Sequence, residues 1–107
     1  MIEIAAHITQ NGQKPFSKWL RGLDKQARDK VMTALDRLEE GNTGNLKSVG
    51  SGVYELKITY GPGYRIYFGW ANNRLVILLH GGTKKRQSDD IAKAKELWED
   101  YKLHKQI

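Results

Sequence analysis

The chain has 107 residues and no cysteine, and its 18 Lys/Arg against 12 Asp/Glu give a formal net charge of +6. This length supports a single core, so we expect residues 1–107 to form one domain. No apolar run reaches the length of a membrane span, and the first residues lack the pattern of a secretory signal. The lack of cysteine excludes disulfides, thiolate metal sites and cysteine nucleophiles. Together these features predict a cytoplasmic protein.

The N-terminal part of the chain predicts a strand followed by two helices. Segment 2–8 is β-branched and apolar, which is typical of a strand. Pro15 is a favourable first residue for a short helix, and apolar residues recur there at helical spacing. Asp24 is a suitable N-cap for a second helix with its own apolar stripe. The glycine-rich segment 42–52 predicts a loop.

The remaining residues predict three strands and a last helix. The strands are expected at about 53–60, 64–70 and 74–80, and Ser88 is the expected N-cap of the helix. The order β-α-α-β-β-β-α predicts an α+β fold, in which an antiparallel sheet carries two N-terminal helices on one face and is followed by a C-terminal helix. We expect the other sheet face to be partly open.

The excess positive charge lies in the β-rich segment 44–86. Outside it, eleven basic residues balance eleven acidic ones, whereas inside it Glu55 is the one acid. The seven basic residues of the segment are Lys47, Lys57, Arg65, Arg74, Lys84, Lys85 and Arg86. A segregated positive field attracts polyanions, and nucleic acid is the first candidate.

Side-chain alternation places part of this charge on the open face of the sheet. Arg65 and Tyr67 share a face with Lys57, and a three-residue turn at 61–63 would set Lys57 opposite Tyr67. Lys84 follows the last strand at the edge of the same sheet. Cations that hold phosphates beside an aromatic ring are typical of single-stranded RNA binding.

The same residues could also cleave RNA. A lysine of lowered pKa can act as a general base, and an arginine can hold the scissile phosphate. Such a site would need another body to hold the RNA for in-line attack. Most carboxylates fall in the predicted helices and the three histidines show no ligand spacing, so neither a metal nor another cofactor is expected.

Each of these signals also has a structural explanation. Arg65 could pair across the sheet with Glu55. Lys57 could be a solvated charge on an edge strand. The Lys84-Lys85-Arg86 run could be a soluble turn. The convergence of the charge on one face favours the functional interpretation.

Several motifs resemble the RelE/ParE superfamily of toxins. They are Tyr54-Glu-Leu-Lys-Ile, Gly63-Tyr-Arg-Ile-Tyr-Phe, Gly81-Gly-Thr-Lys-Lys-Arg-Gln and Asp90-Ile-Ala-Lys-Ala. The chain is most similar to the HigB-like branch, the addiction-module killer proteins. The resemblance implies a type II toxin neutralised by a HigA-like helix-turn-helix antitoxin, with operator DNA contacted through the antitoxin. RelE-type and HigB-type members cut mRNA on the ribosome, whereas ParE-type members inhibit DNA gyrase.

The resemblance also assigns site residues. Arg65 matches the arginine on the scissile phosphate, Lys57 matches a lysine implicated as base, and Lys84 matches a basic residue after the last strand. The catalytic tyrosine of RelE has no counterpart, because Asp90 and Ile91 stand there. Further RNA contacts are expected at Lys47, Tyr67, Lys85, Arg86 and Gln87.

The sequence thus predicts a ribosome-dependent endoribonuclease toxin. A ParE-like gyrase inhibitor and a non-catalytic RNA-binding module are the alternatives. Because Arg65 is expected to face away from the core, its replacement by alanine is expected to change stability by no more than about 1 kcal/mol.

Overall fold

The computed structural model describes residues 1–105 as five strands, three α-helices and one short 3-10 turn. The 3-10 turn, Lys84–Arg86, leads directly into the last helix. The strands are β1 (Glu3–Ala6), β2 (Leu46–Gly50), β3 (Val53–Ile58), β4 (Tyr64–Asn72) and β5 (Leu75–Thr83). The helices are α1 (Pro15–Arg21), α2 (Lys25–Glu39) and α3 (Gln87–Lys105). The predicted α+β class is confirmed.

The strands form one mixed sheet in the order β1-β5-β4-β3-β2. β1 is parallel to β5, while the other neighbours are antiparallel. The prediction of a loop over 42–52 was wrong because β2 lies within it. Gly50 and Gly52, with φ of 97° and 82°, instead form the tight turn that pairs β2 with β3.

Helices α1 and α2 cover one face of the sheet, as expected. Pro15 begins α1, and the Asp24 side chain accepts a hydrogen bond from the Ala27 N–H at the start of α2. The apolar stripe of α2 packs on alternate residues of the central strands. The buried residues of this core are Phe16, Ala27, Val31, Leu35, Leu38, Leu56, Ile58, Tyr64, Ile66, Phe68, Val76 and Leu78.

Helix α3 covers the opposite face, so the prediction that this face is partly open was wrong. The apolar stripe of α3 finds partners there because β5 is apolar on both sides: Ile77 and Leu79 point towards α3. The Trp98 ring lies where Gly69 has no side chain, and a Cβ at that position would come within 2.6 Å of the ring. The second core consists of Val53, Tyr67, Ile77, Leu79, Ala94, Leu97 and Trp98.

The turn between β3 and β4 is longer than predicted and changes the register. Gly61 and Gly63 both have positive φ, and Lys57 is opposite Arg65 rather than Tyr67. Ser88 is not an N-cap, since α3 already begins at Gln87 after the 3-10 turn.

Candidate functional site

Three basic residues converge where the β3–β4 turn meets the end of β5. Lys57 and Arg65 are direct cross-strand neighbours. The Lys84 N–H donates to the Gly63 carbonyl at 3.1 Å. A side chain at Gly63 would lie 3.5 Å from Arg65 Nη1 and 4.0 Å from Lys84 Cβ. We call this place, formed by Lys57, Gly63, Arg65 and Lys84, the Gly63 corner.

Arg65 lies beneath α3 and is 5% exposed, which corrects its expected position on an open face. Its Nε is 3.5 Å from Oε2 of Glu55, which is also buried. Gln87, in the first turn of α3, donates from Nε2 to the same Glu55 oxygen at 2.7 Å. The expected pairing of Arg65 with Glu55 is therefore present, and α3 closes over it.

Tyr67 is fully buried on the same face, so its ring is not available to stack a base in this conformation. Its hydroxyl makes no hydrogen bond of acceptable geometry. Burial, together with the nearby Glu55 carboxylate, raises the pKa of Tyr67 far above its usual value.

A histidine–aspartate pair, which the sequence analysis did not identify, completes the site. His80 Nε2 lies 3.1 Å from Asp90 Oδ1, and both side chains are largely buried. Asp90 fits against the sheet because Gly82 has no side chain; a Cβ there would collide with its carboxylate. Glycine inside a strand indicates a close approach of this kind, so Gly82 is a sequence signal of the contact although it does not identify the pair.

Unpaired polar atoms are concentrated in this one region. Among residues 1–105, the buried side-chain nitrogens and oxygens without a hydrogen-bond partner are Arg65 Nε and Nη1, Tyr67 Oη and His80 Nδ1, although Arg65 Nε is within ion-pair range of Glu55. Native structures pair nearly all such atoms, and the exceptions need an explanation. We define the buried polar cluster as Glu55, Arg65, Tyr67, His80, Gln87 and Asp90.

The other predicted basic residues are exposed around this cluster. Lys57, Lys84 and Lys85 face solvent at the Gly63 corner and in the turn that follows it. Arg86 is also exposed and lies 3.9 Å from Asp89. Lys47 is exposed on β2, opposite Glu55 in register. Buried groups are thus bordered by exposed surface cations.

No group of three or more His, Asp or Glu side chains within residues 1–105 is arranged to hold a metal ion. None of the helices described in that range is long and apolar enough to cross a membrane.

Comparison with known proteins identifies the family. The model of the phage-derived protein Gp49-like family (DUF891) matches residues 18–99, which include the Gly63 corner and the buried polar cluster. The chain belongs to this family. Gp49-like proteins are a RelE-like toxin family of toxin–antitoxin systems. An uncharacterized protein of Haemophilus influenzae strain Rd is 44% identical over 89 residues, covering 82% of this chain and 90% of the relative.

Membership in the Gp49-like family supports a toxin of a toxin–antitoxin pair and implies an antitoxin partner. It also agrees with the broad resemblance to RelE-like toxins drawn from the motifs.

Proposed function

We propose that this Gp49-like protein is a type II toxin of the HigB-like branch that cleaves mRNA on the ribosome, without a metal, at the Gly63 corner. The observation that carries the proposal is the convergence of Lys57, Arg65 and Lys84 at the Gly63 corner, where Arg65 also belongs to the buried polar cluster. Cations at that density suit a phosphodiester, whose negative charge grows as it is attacked.

The reaction requires two proton transfers and one charge clamp. The RNA 2′-oxygen bonds to phosphorus and loses its proton to a base, while the bond to the 5′-oxygen breaks and that oxygen takes a proton from an acid. Arg65 holds the non-bridging oxygens by its paired N–H groups, and Lys57 and Lys84 add charge from the rim. With Nε2–H donating to Asp90, His80 Nδ1 has a free lone pair and is the proton-transfer group of the cluster.

The site works only when the first turn of α3 moves. Arg65 and His80 Nδ1 are covered in the closed conformation, by contacts that include Gln87 with Glu55 and Asp90 with His80. A macromolecule that binds both the toxin and the RNA can favour the conformation in which the first turn of α3 has moved. It can also hold the RNA in the geometry needed for in-line attack. The ribosome fills this role, so free RNA should be a poor substrate.

A helix-turn-helix antitoxin of the HigA type would neutralise the protein by covering this surface. The exposed cations Lys57, Lys84 and Lys85 favour an acidic antitoxin segment. Operator DNA would then be bound through the antitoxin rather than by this chain.

The test is expression of the toxin alone, followed by primer extension on cellular mRNA. We expect translation-dependent breaks in the message with normal DNA supercoiling. Lys57→Ala combined with Lys84→Ala should abolish the breaks, whereas Lys93→Ala, an exposed α3 lysine, should not. Intact mRNA together with trapped gyrase–DNA complexes would overturn the proposal and favour gyrase inhibition.

The role of His80 has its own control in the same assay. His80→Gln should slow cleavage by about 10²–10⁴-fold, the usual contribution of a general acid or base, and should change the pH profile of the remaining activity. His104→Gln, an exposed histidine near the end of α3, should leave both unchanged. Equal cleavage by the two variants would remove His80 from the mechanism.

A further inference from the structure

A cleft outside the buried polar cluster lies between α2 and the edge of the sheet. Its volume is about 520 Å³. Its lining residues are Lys30, Thr33, Ala34, Arg37, Asn42, Gly44, Asn45, Leu56, Lys57, Ile58, Thr59 and Tyr60. We call it the α2 cleft. Three of these residues are cations and none is a carboxylate.

The cleft exists because β2 is shorter than β3. Pairing between these strands reaches Leu46 with Leu56 and goes no further, so the β3 edge beyond Leu56 is free of a partner strand there. Segment 42–45 crosses the gap and adds two asparagine amides. The uncovered strand edge and these amides offer hydrogen-bonding groups, while the cations above them supply charge.

The cations of the cleft are open to ligands. Lys30 and Arg37 are exposed on the same face of α2, about two helical turns apart. Neither forms an ion pair within residues 1–105. The Lys30 ammonium lies 5.4 Å from the centre of the Tyr60 ring, whose hydroxyl donates to Gln26 Oε1. The acidic residues of α2 do not line the cleft.

The cleft lining is also partly apolar. We call Ala34, Leu56 and Ile58 its apolar floor, and the Tyr60 ring lines the same cleft. A ring beside an apolar floor suits a nucleobase, while phosphates require the surrounding cations. A purely acidic peptide would use the cations and leave the floor unfilled.

From this arrangement we infer that the α2 cleft binds a single-stranded segment of the RNA substrate, next to the bond that is cleaved. Lys57 lies at the edge of the sheet between the two places, since it lines the cleft on the α2 side and is the cross-strand neighbour of Arg65, which is buried on the α3 side. An RNA strand that leaves the cleft past Lys57 would pass around this edge to reach the Gly63 corner. This inference rests on the proposed function and adds the path of the substrate.

The experiment measures RNA binding without ribosomes, so that binding is separated from cleavage. The probe is a fluorescein-labelled single-stranded RNA of about 12 nucleotides, followed by anisotropy over a range of salt concentrations. Lys30→Ala with Arg37→Ala should weaken binding about tenfold at ~0.15 M salt and reduce the salt slope by about 1.4, the loss expected for two single-strand phosphate contacts. The control, Arg74→Ala with Lys93→Ala, removes the same charge at exposed positions outside the cleft and should change the slope little.

The outcomes distinguish the cleft from the proposed function. If the two double variants have equal salt slopes of RNA binding, and mRNA is still cleaved in cells, RNA binding in the cleft is refuted but the ribonuclease proposal is not. A cleft variant that binds RNA normally but no longer binds its antitoxin would also refute RNA binding in the cleft. The cleft would then be a binding site for an acidic protein segment. Absence of mRNA breaks in cells expressing the unmodified protein would instead refute the ribonuclease.

Discussion

The middle of α3 and its first turns meet the sheet in different ways. The middle is attached by apolar packing: Ala94, Leu97 and Trp98 are buried, and the Trp98 ring fills the space above Gly69. The first turns are attached by polar contacts instead, from Gln87 to Glu55 and from Asp90 to His80.

The difference separates stability from chemistry. Burial of large apolar side chains contributes about 1.5–3 kcal/mol each, so the middle of α3 anchors the helix. Each buried polar atom without a hydrogen-bond partner costs about 1–3 kcal/mol, so the buried polar cluster weakens the attachment of the first turns. Opening is therefore expected to begin at the first turn of α3, next to the buried polar cluster.

The largest effect is expected for Arg65→Ala, which removes a charge from the buried polar cluster beneath the first turns of α3. Cleavage should fall by about 10²–10³-fold through loss of phosphate stabilisation. Unfolding free energy should fall by about 3–5 kcal/mol, because Glu55 is left as an unpaired buried charge. This replaces the small stability change expected from the sequence. Urea unfolding and cleavage on purified ribosomes measure the two effects.

A double variant separates those two effects. Arg65→Met with Glu55→Leu removes both buried charges and should restore most of the stability without restoring cleavage. A folded double variant that still cleaves mRNA would show that Arg65 has no role in the chemistry.

Trp98→Ala tests the apolar packing in the middle of α3. It should lower the unfolding free energy by about 3–5 kcal/mol, since it leaves a cavity above Gly69. Cleavage per folded molecule should not change at a temperature where the variant remains folded. Thermal melting and a cleavage assay corrected for folded fraction give the answer. A large loss of specific activity would mean that the packing of the middle of α3 and the contacts of its first turns are not independent.

The smallest effect is expected for Tyr67→Phe, which removes an unpaired hydroxyl. Stability at neutral pH should rise by about 1 kcal/mol. The raised pKa of Tyr67 means that the folded state retains this proton more tightly than the unfolded state, whose tyrosine titrates near 10. Stability of the unmodified protein should therefore fall as pH rises above about 10, and Tyr67→Phe should lessen that fall. Identical alkaline unfolding curves would contradict the assignment.

Much of the fold could be predicted from the sequence, because the periodicity of apolar residues indicates the helices and the three long strands. β2 was missed because glycines at its turn look like a loop. The expectation of a partly open face was wrong because β5 is apolar on both sides, so Ile77 and Leu79 required a helix above them.

The site was predictable in part. Alternation correctly placed Lys57 and Arg65 on one face, although the β3–β4 register was wrong because two turn glycines adopt positive φ. The His80–Asp90 contact could not be read from spacing, since it spans a strand end, a 3-10 turn and a helix start. No periodicity connects residues across such a junction.

The parallel pairing of β1 with β5 has a consequence for biosynthesis. Glu3 pairs with Leu75 and Ala6 with Leu78, so the first strand made has no partner until β5 has been synthesised. Lys84 and Asp90 are later still in the chain. Contacts this distant in sequence form slowly and late. A nascent chain halted before β5 therefore contains Lys57 and Arg65 but cannot assemble the Gly63 corner, which forms only after β5 and the 3-10 turn have been made.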